Sequence, residues 1–154
     1  MAAQDRKTAR LRPLAARDRD AWGALWQGYL AFYETELPQS QFDLQFARLL
    51  GGAPRDVQAI VAEDGGGDLV GLAHYLFHCH GWHEADVCYL QDLYVAPAAR
   101  GQGLGRALIE AVYEAADADG AADVYWTTQD FNAEARVLYD RIGKLTPFIK
   151  YQRG

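Results

Sequence analysis

The segment from Arg100 to Arg106 places glycines at alternate positions after a strand-like run, a pattern that can bind a phosphate group. Its residues are Arg100, Gly101, Gln102, Gly103, Leu104, Gly105 and Arg106. The first turn of a helix exposes unpaired N–H groups at the positive end of the macrodipole, which attracts anions. Glycine lets a phosphate approach the backbone without meeting a Cβ atom, and Arg100 can add charge-assisted hydrogen bonds. The segment therefore predicts an anion site, for which the alternative interpretation is an ordinary tight turn into a surface helix.

The glycine spacing distinguishes this segment from three other phosphate-binding loops. A Rossmann fingerprint needs GxGxxG early in a βαβ unit and an acidic residue about 20 positions later, whereas here GxGxG stands two-thirds along the chain. A Walker loop ends in Gly-Lys-Ser/Thr, which this segment lacks. A kinase glycine loop belongs to a far longer chain with further signatures. None of the three fits.

A second group of reactive residues, His78, Cys79, His80 and His83, raises the question of a metal site. A zinc site needs three or four convergent ligands, and strand alternation turns Cys79 away from its two histidine neighbours. We therefore predict no metal. A histidine could still act as a general base, because its pKa ordinarily lies near neutrality.

The elements that position these residues are predicted from hydrophobic periodicity and from breaker residues. The first half of the chain reads as a strand over residues 9–14, a helix capped by Asp18 or Asp20, a second helix over residues 39–50, and a hairpin of residues 57–63 and 69–79. The first helix carries an aromatic and aliphatic stripe that we interpret as core: Trp22, Leu25, Trp26, Tyr29, Leu30 and Tyr33.

The second half alternates strands and helices. It is predicted as a strand over residues 89–95, a helix from Leu104 to a stop at Gly120, a strand over residues 122–128, and a helix capped by Asn132 and ended by Gly143. A last extended segment, residues 145–153, contains Pro147 and is predicted as an edge strand or as one that pairs outside its own sheet. The order predicts a single α/β domain over residues 1–154 with a mixed, mostly antiparallel sheet.

Composition and charge argue against several classes of function. The formal net charge is −6, so we predict no binding to nucleic acid. No apolar run approaches the length of a membrane span, and the N-terminal residues lack the apolar core of a secretory signal. Cys79 and Cys88 do not make a disulfide framework, which favours the cytoplasm. Six of the fifteen basic residues fall between Arg6 and Arg19, and we interpret them as a solvated end rather than as contacts to a phosphate.

Two segments resemble the cofactor segments of the GCN5-related N-acetyltransferase (GNAT) superfamily. Arg100, Gly103 and Gly105 match its motif Gln/Arg-x-x-Gly-x-Gly/Ala, and residues 92–97 are similar to the family's central strand and its exit. Residues 132–143 resemble the second segment, Asn-x-x-Ala-x-x-Leu/Phe-Tyr-x-x-x-Gly, in the family's order and at its usual separation. The resemblance implies the GNAT fold, in which about four helices flank a sheet whose parallel strands splay at a cofactor cleft.

The resemblance also implies a reaction, the direct transfer of an acetyl group from acetyl-CoA to a primary amine of a small molecule or peptide. It would proceed in a ternary complex, without a metal. Tyr139 would be the general acid that protonates the CoA thiolate. The pyrophosphate would lie on residues 101–106, and the pantetheine arm would contact Leu93, Tyr94, Val95 and Asn132. The alternative hypothesis is an acyl-CoA-binding regulatory domain without turnover.

The general base stays open at this point. Diamine acetyltransferases, which resemble the chain around residues 89–95, carry a glutamate where this chain has Gln91, and a glutamine cannot take a proton. The amine would lose its proton to a water ordered by Gln91, or to His74, His78 or Asp92. Gln91 and Asp92 are our catalytic candidates beside the general acid, with a structural role as the equal alternative for Asp92. The acceptor side implied by the resemblance comprises Tyr33, Glu34, Glu36 and Trp126.

A closer resemblance is to the small Hpa-type branch, whose members acetylate histone tails, polyamines or D-amino acids. It rests on residues 92–95, residues 124–126 with the Thr and Asn that follow, and residues 147–153. Members of the branch dimerise through the C-terminal strand, so the resemblance implies a homodimer. Their substrates share only a primary amine, so the branch does not fix the acceptor.

Overall fold

The strands and helices follow the predicted order as far as the last helix. The structure, a computed structural model, describes residues 9–53 and 55–154. Its strands are β1 (Arg10–Pro13), β2 (Gln58–Glu63), β3 (Leu69–His78), β4 (Val87–Val95) and β5 (Val124–Tyr125). Its α-helices are α1 (Arg19–Phe32), α2 (Gln39–Leu50), α3 (Leu104–Asp119) and α4 (Ala133–Ile142), with 3₁₀ turns at Ala16–Asp18 and Pro97–Ala99.

The strands form one sheet in the order β1-β2-β3-β4-β5. Neighbouring strands are antiparallel except for β4 and β5, which are parallel. This confirms the predicted mixed, mostly antiparallel sheet. The strand predicted over residues 122–128 is shorter than expected, because the chain leaves the sheet after Tyr125 and Trp126 packs against Tyr139 of α4 instead.

The sheet carries a separate hydrophobic core on each face. On one face α1 and α2 bury the core of Trp22, Leu25, Trp26, Leu30, Phe42, Phe46, Leu49 and Leu72. On the other face α3 packs on the sheet through Leu108, Ile109, Val112 and Ala116. The interpretation of the α1 stripe as core is confirmed for its buried members, since Trp22 is fully buried and stacks on Trp26 with 5.2 Å between ring centroids.

An ion-pair cluster joins β1, β2 and the start of α1. Arg12 donates to the two carboxylate oxygens of Asp18 at 2.7 and 2.9 Å and to Glu63 Oε2 at 2.8 Å. These hydrogen bonds hold the pKa of both carboxyl groups below their ordinary values. Asp18, one of the two predicted caps, is the N-cap residue of α1, but its side chain makes no capping hydrogen bond because the carboxylate is turned to Arg12 and to the Ala15 N–H group.

The basic residues near the start of the chain are not simply a solvated end. Arg10 and Arg12 pair with Glu63, and Arg19 pairs with Asp43 at 2.8 Å. These ion pairs connect β1 and α1 to other elements, so this part of the prediction is corrected. Of the other three residues of the group, Arg17 is exposed, and Arg6 and Lys7 lie outside the described residues.

The helices end as predicted, but the chain after α4 does not form a strand. Gly120 stops α3 in the left-handed conformation, with φ at 78°, and the Asn132 side chain caps α4 by accepting from Ala135 N–H. Residues 143–154 contain no helix or strand, so the edge strand predicted over residues 145–153 is wrong within this chain. Pairing of this segment outside its own sheet stays a prediction.

Candidate active site

Asp92 reaches the α1 side of the sheet because β4 bulges at Gln91. In the register of β3 and β4, His74 pairs with Asp92 and Tyr75 with Leu90, so Gln91 is the extra residue. Leu90 belongs to the core beneath α3. Without the bulge, strand alternation would send Asp92 to that same face. The bulge turns the carboxylate towards α1 instead.

Trp22 and His74 hold Asp92 in a row of hydrogen bonds. Trp22 Nε1 donates to His74 Nε2 at 3.0 Å, so this ring nitrogen is the acceptor and carries no proton. The proton of the neutral ring is therefore on Nδ1, which donates to Asp92 Oδ2 at 2.8 Å. Trp22 and His74 are fully buried, and Asp92 is 7% exposed. The row orients the carboxylate and leaves His74 no free lone pair for a substrate proton.

Two phenols of α1 face the same carboxylate. Burial raises the pKa of Tyr29, and the charge of Asp92 and a hydrogen bond to it raise that pKa further. Burial, followed by the charge of Asp92, also raises the pKa of Tyr33. The two rings touch edge to face, with 5.1 Å between centroids. Both side chains are therefore neutral hydroxyls beside Asp92 at neutral pH.

A cavity of about 600 Å³ lies between α1, α2 and the sheet, with Gln91 and Asp92 in its wall. Tyr29 and Tyr33 line it from α1, and Leu76 lines it from β3. The part of the wall on α2 is polar and consists of Gln41, Gln45 and Arg48. A volume of this size suits a small-molecule ligand.

The glycine turn between β4 and α3 presents an open backbone. Gly101 and Gly103 both have φ at 78°, and a Cβ atom added at either would meet nothing within 4 Å. A bond inside α3 runs from Ala107 N–H to the Gly103 carbonyl at 3.0 Å, and the N–H groups before it have no intrahelical partner. Gly105 differs, because a Cβ atom there would lie 3.3 Å from Leu138 Cδ2. The absence of a side chain at Gly105 therefore also lets α3 pack closely on α4.

The polar side chains of the turn, Arg100, Gln102 and Arg106, are all exposed. Arg100 Nε donates to the Val95 carbonyl at 3.1 Å, which keeps the guanidinium at the end of β4 with further N–H donors remaining. Arg106 Nε donates to Glu110 Oε1 at 2.8 Å, one helical turn further along. Arg100 is therefore the better placed of the two arginines to reach an anion on the turn.

The parallel strands β4 and β5 separate towards the glycine turn. They pair only at Cys88–Val124 and Tyr89–Tyr125, so beyond Tyr89 no described strand pairs with β4 on this side. This stretch contains the three residues expected to pair with pantetheine, Leu93, Tyr94 and Val95. The predicted splay of the parallel strands is confirmed.

Tyr139 lies on α4 beside this gap. Its ring meets Trp126 edge to face with 5.6 Å between centroids. Burial, followed by the influence of Tyr33, raises the pKa of Tyr139 to about 12. Tyr33 directly follows α1, so its influence on Tyr139 indicates that residues from the two faces of the sheet approach each other here. Thr128, which follows β5 by three residues, carries a buried hydroxyl without a partner among the described residues.

Comparison with known proteins settles the family. The sequence profile of the Acetyltransferase (GNAT) family matches residues 22–143. The chain belongs to the GNAT family. A D-amino-acid N-acetyltransferase of Saccharomyces cerevisiae is 37% identical over 144 residues, which cover 94% of this chain and 89% of the yeast protein. A thialysine N-epsilon-acetyltransferase of Bos taurus is 33% identical over 88 residues, which cover 57% of this chain and 51% of the bovine protein.

Solved GNAT structures share the fold at low sequence identity. The aminoglycoside N-acetyltransferase AAC(6')-Iy, in complex with a CoA-linked bisubstrate analogue, has a TM-score of 0.82 at 16% identity and covers 96% of this chain and 98% of its own. A ribosomal-protein-alanine N-acetyltransferase of Brucella melitensis has a TM-score of 0.75 at 20% identity, with 96% and 99% covered. Family and fold together make this chain an acetyl-CoA-dependent N-acetyltransferase, and they favour catalysis over the regulatory alternative.

The predicted acceptor residues of this GNAT protein fall into two groups. Tyr33 lines the cavity beside the catalytic candidates Gln91 and Asp92. Trp126 does not line it and instead packs edge to face on Tyr139. Glu34 and Glu36 are exposed, and neither lines the cavity. Their carboxylates are therefore not brought together with Asp92, although they still add negative charge near the end of α1.

Two other candidates make hydrogen bonds of their own. His78 Nε2 lies 2.7 Å from the Tyr125 hydroxyl, and His78 does not line the cavity. Asn132 Oδ1 accepts from Ala135 N–H at 3.3 Å, so only its NH₂ group would donate to a ligand. Of the proposed bases, Asp92 and a water held by Gln91 keep the best access to an acceptor.

Sequence reasoning missed Trp22 and Tyr29 as parts of the site and assigned both to the core. Tyr29 precedes Tyr33 by one helical turn, so the two phenols share a face, and this spacing was a usable signal. His74 is a fully buried polar residue of β3, on the face of the sheet that the aromatic side chains of α1 cover. A buried histidine needs hydrogen-bond partners, and the tryptophans of α1 were candidates.

No metal cluster and no membrane span are found in the parts of the chain that the structure describes. Across residues 9–53 and 55–154, no group of three His, Cys, Asp or Glu side chains could hold an ion. None of the helices over the same residues is both long and apolar enough to cross a membrane. Cys79 is exposed and Cys88 is buried, and both are free thiols.

Proposed function

We propose that this GNAT enzyme acetylates the primary amine of a small molecule bound in the cavity between α1, α2 and the sheet. The observation that carries the proposal is the Asp92 carboxylate in the cavity wall, oriented by His74 and flanked by Tyr29. A desolvated carboxylate attracts a protonated amine. Asp92 also belongs to the stretch of β4 that separates from β5, so acceptor amine and acetyl donor would meet in the same gap.

The glycine turn and β4 offer the groups that a CoA ligand needs. The open N–H groups at the start of α3 would hold the pyrophosphate, and Arg100 would add charge. The unpaired side of β4 at Leu93, Tyr94 and Val95 would pair with the amides of pantetheine, with the Asn132 NH₂ group as a further donor. Acetyl-CoA supplies the acetyl group as a thioester, and positioning both substrates together replaces a covalent acyl-enzyme.

The chain's own residues would then move two protons. Asp92 binds the ammonium group of the acceptor and receives one proton, which frees the nitrogen lone pair for attack. His74 keeps the carboxylate oriented, and Gln91 hydrogen-bonds the amine or a water without taking a proton. Tyr139 Oη gives its proton to the departing sulfur. With a pKa of about 12, the Tyr139 phenol carries this proton throughout the neutral range.

A thiol-release assay over a panel of amines tests the proposal. The panel contains polyamines, amino acids of both configurations, lysine-containing peptides and aminoglycosides, and the relatives' names nominate D-amino acids and thialysine as the first acceptors. We expect CoA release that depends on one class of amine, with the acetylated product seen by mass spectrometry. Calorimetric binding of acetyl-CoA without release on any amine would contradict the proposal and support a regulatory domain.

We also propose that the enzyme is a homodimer joined through its C-terminal segment, residues 143–154. Phe148, Ile149 and Tyr151 are 75%, 77% and 88% exposed, and β5 is an open edge of the sheet. Exposed apolar side chains beside an open edge favour pairing with another chain. Light scattering should give twice 17.1 kDa, and Ile149→Asp should give the single mass while Val137→Asp on α4 does not. A wild-type protein that stays at 17.1 kDa at micromolar concentration contradicts the dimer.

A cytoplasmic location is proposed on the state of the two cysteines. Cys79 is an exposed free thiol, and such a thiol persists best in a reducing compartment. Cell fractionation with an antibody to the native protein tests this location, and recovery in a secreted or oxidising compartment contradicts it.

A further inference from the structure

A second set of polar groups lies in the cavity wall, away from Asp92. Gln45 on α2 is 8% exposed and lines the cavity, and its amide has no hydrogen-bond partner among the described residues. Trp26, another wall residue, is 6% exposed, and its indole N–H group is likewise without a partner in the described part of the chain. Buried polar groups are nearly always hydrogen-bonded. The Trp26 N–H group therefore lacks the acceptor it needs, and the Gln45 amide, which is not sealed from solvent, is a second donor in the same wall. Together they indicate a ligand that brings acceptor atoms.

The same wall contains a cation that is not neutralised. Arg48 lies three residues after Gln45, so the two share a face of α2. Arg48 makes no ion pair with any residue in the described ranges. Arg55, the other arginine of the wall, differs because its guanidinium pairs with Asp86 at 3.0 Å and with Asp119 at 3.3 Å. Arg48 is therefore the cation that stays available to an anionic group in the cavity.

The cation and the Asp92 carboxylate are too far apart to neutralise each other. Asp92 lies on β4, whereas α2 packs on β2, two strands away in the sheet. Two interstrand spacings amount to about 10 Å. The remaining acid of this wall, Asp56, turns its carboxylate to its own chain, where Oδ1 accepts from Val57 N–H at 2.8 Å. The cavity thus has an anionic end at Asp92 and a cationic end at Arg48.

We infer that Gln45 and Arg48, with the Trp26 N–H group, form a carboxylate subsite, so the acceptor is an amine that also carries a carboxylate. This inference rests on the proposed function, because it takes the Asp92 end as the amine end. An amide donor and a guanidinium together match the acceptor-only chemistry of a carboxylate. The substrate class is then the free amino acids and their ω-amino homologues, rather than polyamines or aminoglycosides.

Three amines that share the leucine side chain and the carbon bearing the amino group test the subsite: leucine in both configurations, leucinamide and isoamylamine. The amide keeps the shape without the charge, and isoamylamine removes the group altogether. We expect Arg48→Gln to raise the KM for leucine roughly 10-fold or more with kcat little changed. For isoamylamine, kcat and KM should differ by no more than about two-fold between the wild type and Arg48→Gln, because this amine has no carboxylate for Arg48 to bind. Each acceptor is compared between variants, so differences in amine basicity cancel.

Two further variants and a control make the result specific. Gln45→Leu keeps the size of the side chain and should raise the same KM, whereas Arg48→Glu should also improve the use of 1,5-diaminopentane by reversing the charge. Arg17→Gln removes an exposed arginine that does not line the cavity and should change nothing. Calorimetric titration with leucine measures its affinity without turnover, and Arg48→Gln should weaken this affinity by the same factor as it raises the KM.

The failure of the subsite and the failure of the proposed function give different results. If Arg48→Gln changes leucine, leucinamide and isoamylamine equally, or if the wild type prefers isoamylamine, the subsite is wrong while acetyl transfer stands. If no amine is acetylated, the proposed function fails, and leucine calorimetry alone then decides the subsite.

Discussion

The two halves of the proposed active site, an acceptor half and a donor half, are built from different parts of the polypeptide. The acceptor half consists of side chains, where Trp22, His74 and Asp92 form a hydrogen-bonded row inside the protein. The donor half consists of main chain, offered by the unpaired side of β4 and the open turn at Gly101 and Gly103. The first half joins residues from three distant elements, and the second is nearly continuous in sequence.

The contrast separates chemistry from affinity. A backbone cradle can bind the same CoA group whatever side chains surround it, whereas the acceptor half depends on particular side chains for charge and proton transfer. We therefore expect substitutions in the acceptor row to change turnover and acceptor specificity. Substitutions in the glycine turn should mainly change the binding of acetyl-CoA. The predictions below test this division, beginning with the largest effect.

Asp92→Asn should lower kcat/KM roughly 10²–10³-fold, because it removes both the charge that holds the ammonium group and the proton acceptor. The asparagine oxygen can still accept from His74 Nδ1–H, so the fold and the affinity for acetyl-CoA should be retained. Steady-state kinetics, thermal melting and acetyl-CoA calorimetry measure the three quantities. Asp140→Asn, at an exposed position of α4, is the matched control. A parallel loss of acetyl-CoA binding in Asp92→Asn would show that the two halves are not separate.

Tyr139→Phe should lower kcat roughly 10²-fold and leave the KM for acetyl-CoA nearly unchanged, because it removes only the proton for the departing thiolate. Burial, followed by Tyr33, raises the pKa of this phenol to about 12. In the wild type, kcat should therefore not fall through loss of this proton until the pH approaches 12.

The same shift in the Tyr139 pKa predicts how stability depends on pH. The folded pKa lies above the unfolded value of 10.0, so the contribution of this group to stability is full below 10.0 and is lost as the pH rises towards 12. Tyr139→Phe should lose less stability than the wild type over this range of pH. Thermal melting as a function of pH measures this difference in stability. Unchanged kcat in Tyr139→Phe would contradict the proposed role of Tyr139 as general acid.

Trp22→Phe should lower kcat/KM roughly 10-fold, because Asp92 is then oriented by a histidine that has lost its own partner. The buried His74 Nε2 atom is left without a donor and a small cavity forms, so the free energy of unfolding should fall by about 2–4 kcal/mol. With Nε2 free, protonation of the ring becomes possible, and activity should decline towards acidic pH more steeply than in the wild type. A loss of packing alone would not move the pH profile.

Trp82→Phe is the control for the Trp22 substitution. Trp82 is 78% exposed, and Phe there removes the same indole N–H group without disturbing the row. Neither activity nor its pH dependence should change. If both tryptophan variants behave alike, or if Trp22→Phe destabilises the protein without changing the pH profile, the row is structural and does not tune Asp92.

The local structure of the proposed donor half could be predicted from sequence because its signal is local. The glycine turn, the start of α3 and the Asn132 cap each depend on residues a few positions apart. Even there, Gly105 was grouped with the other glycines, and only the packing of α3 against Leu138 distinguishes it. A contact between two helices leaves no mark in the spacing of a motif.

The acceptor half could not be predicted in the same way, because strand alternation fails at Gln91. A bulge adds one residue and reverses which face each later side chain takes, and no residue around Gln91 signals it. The partnership of Trp22 with His74 joins residues 52 positions apart, so it appears only once the sheet is assembled. The edge strand predicted over residues 145–153 was wrong within this chain for a related reason, since an extended pattern does not say which chain it pairs with.

The smallest effect sharpens the comparison most, because a glycine of the donor half has a matched control at the other end of α3. Gly103 and Gly120 stand at the two ends of α3, both with φ at 78° and both with open space where a Cβ atom would be. Alanine at either position should therefore cost about the same stability, roughly 1 kcal/mol, from strain in the left-handed region.

Only Gly103→Ala should affect the cofactor, since only Gly103 borders the proposed pyrophosphate site. We expect the KM for acetyl-CoA to rise about 5-fold, the equivalent of one weakened hydrogen bond, with kcat unchanged. Gly120→Ala should leave both constants unchanged at equal thermal destabilisation, so strain itself cannot account for the difference. Equal effects of the two variants on acetyl-CoA would mean that the turn at Gly103 is only an entrance to the helix, and the donor half would then have to lie elsewhere along β4.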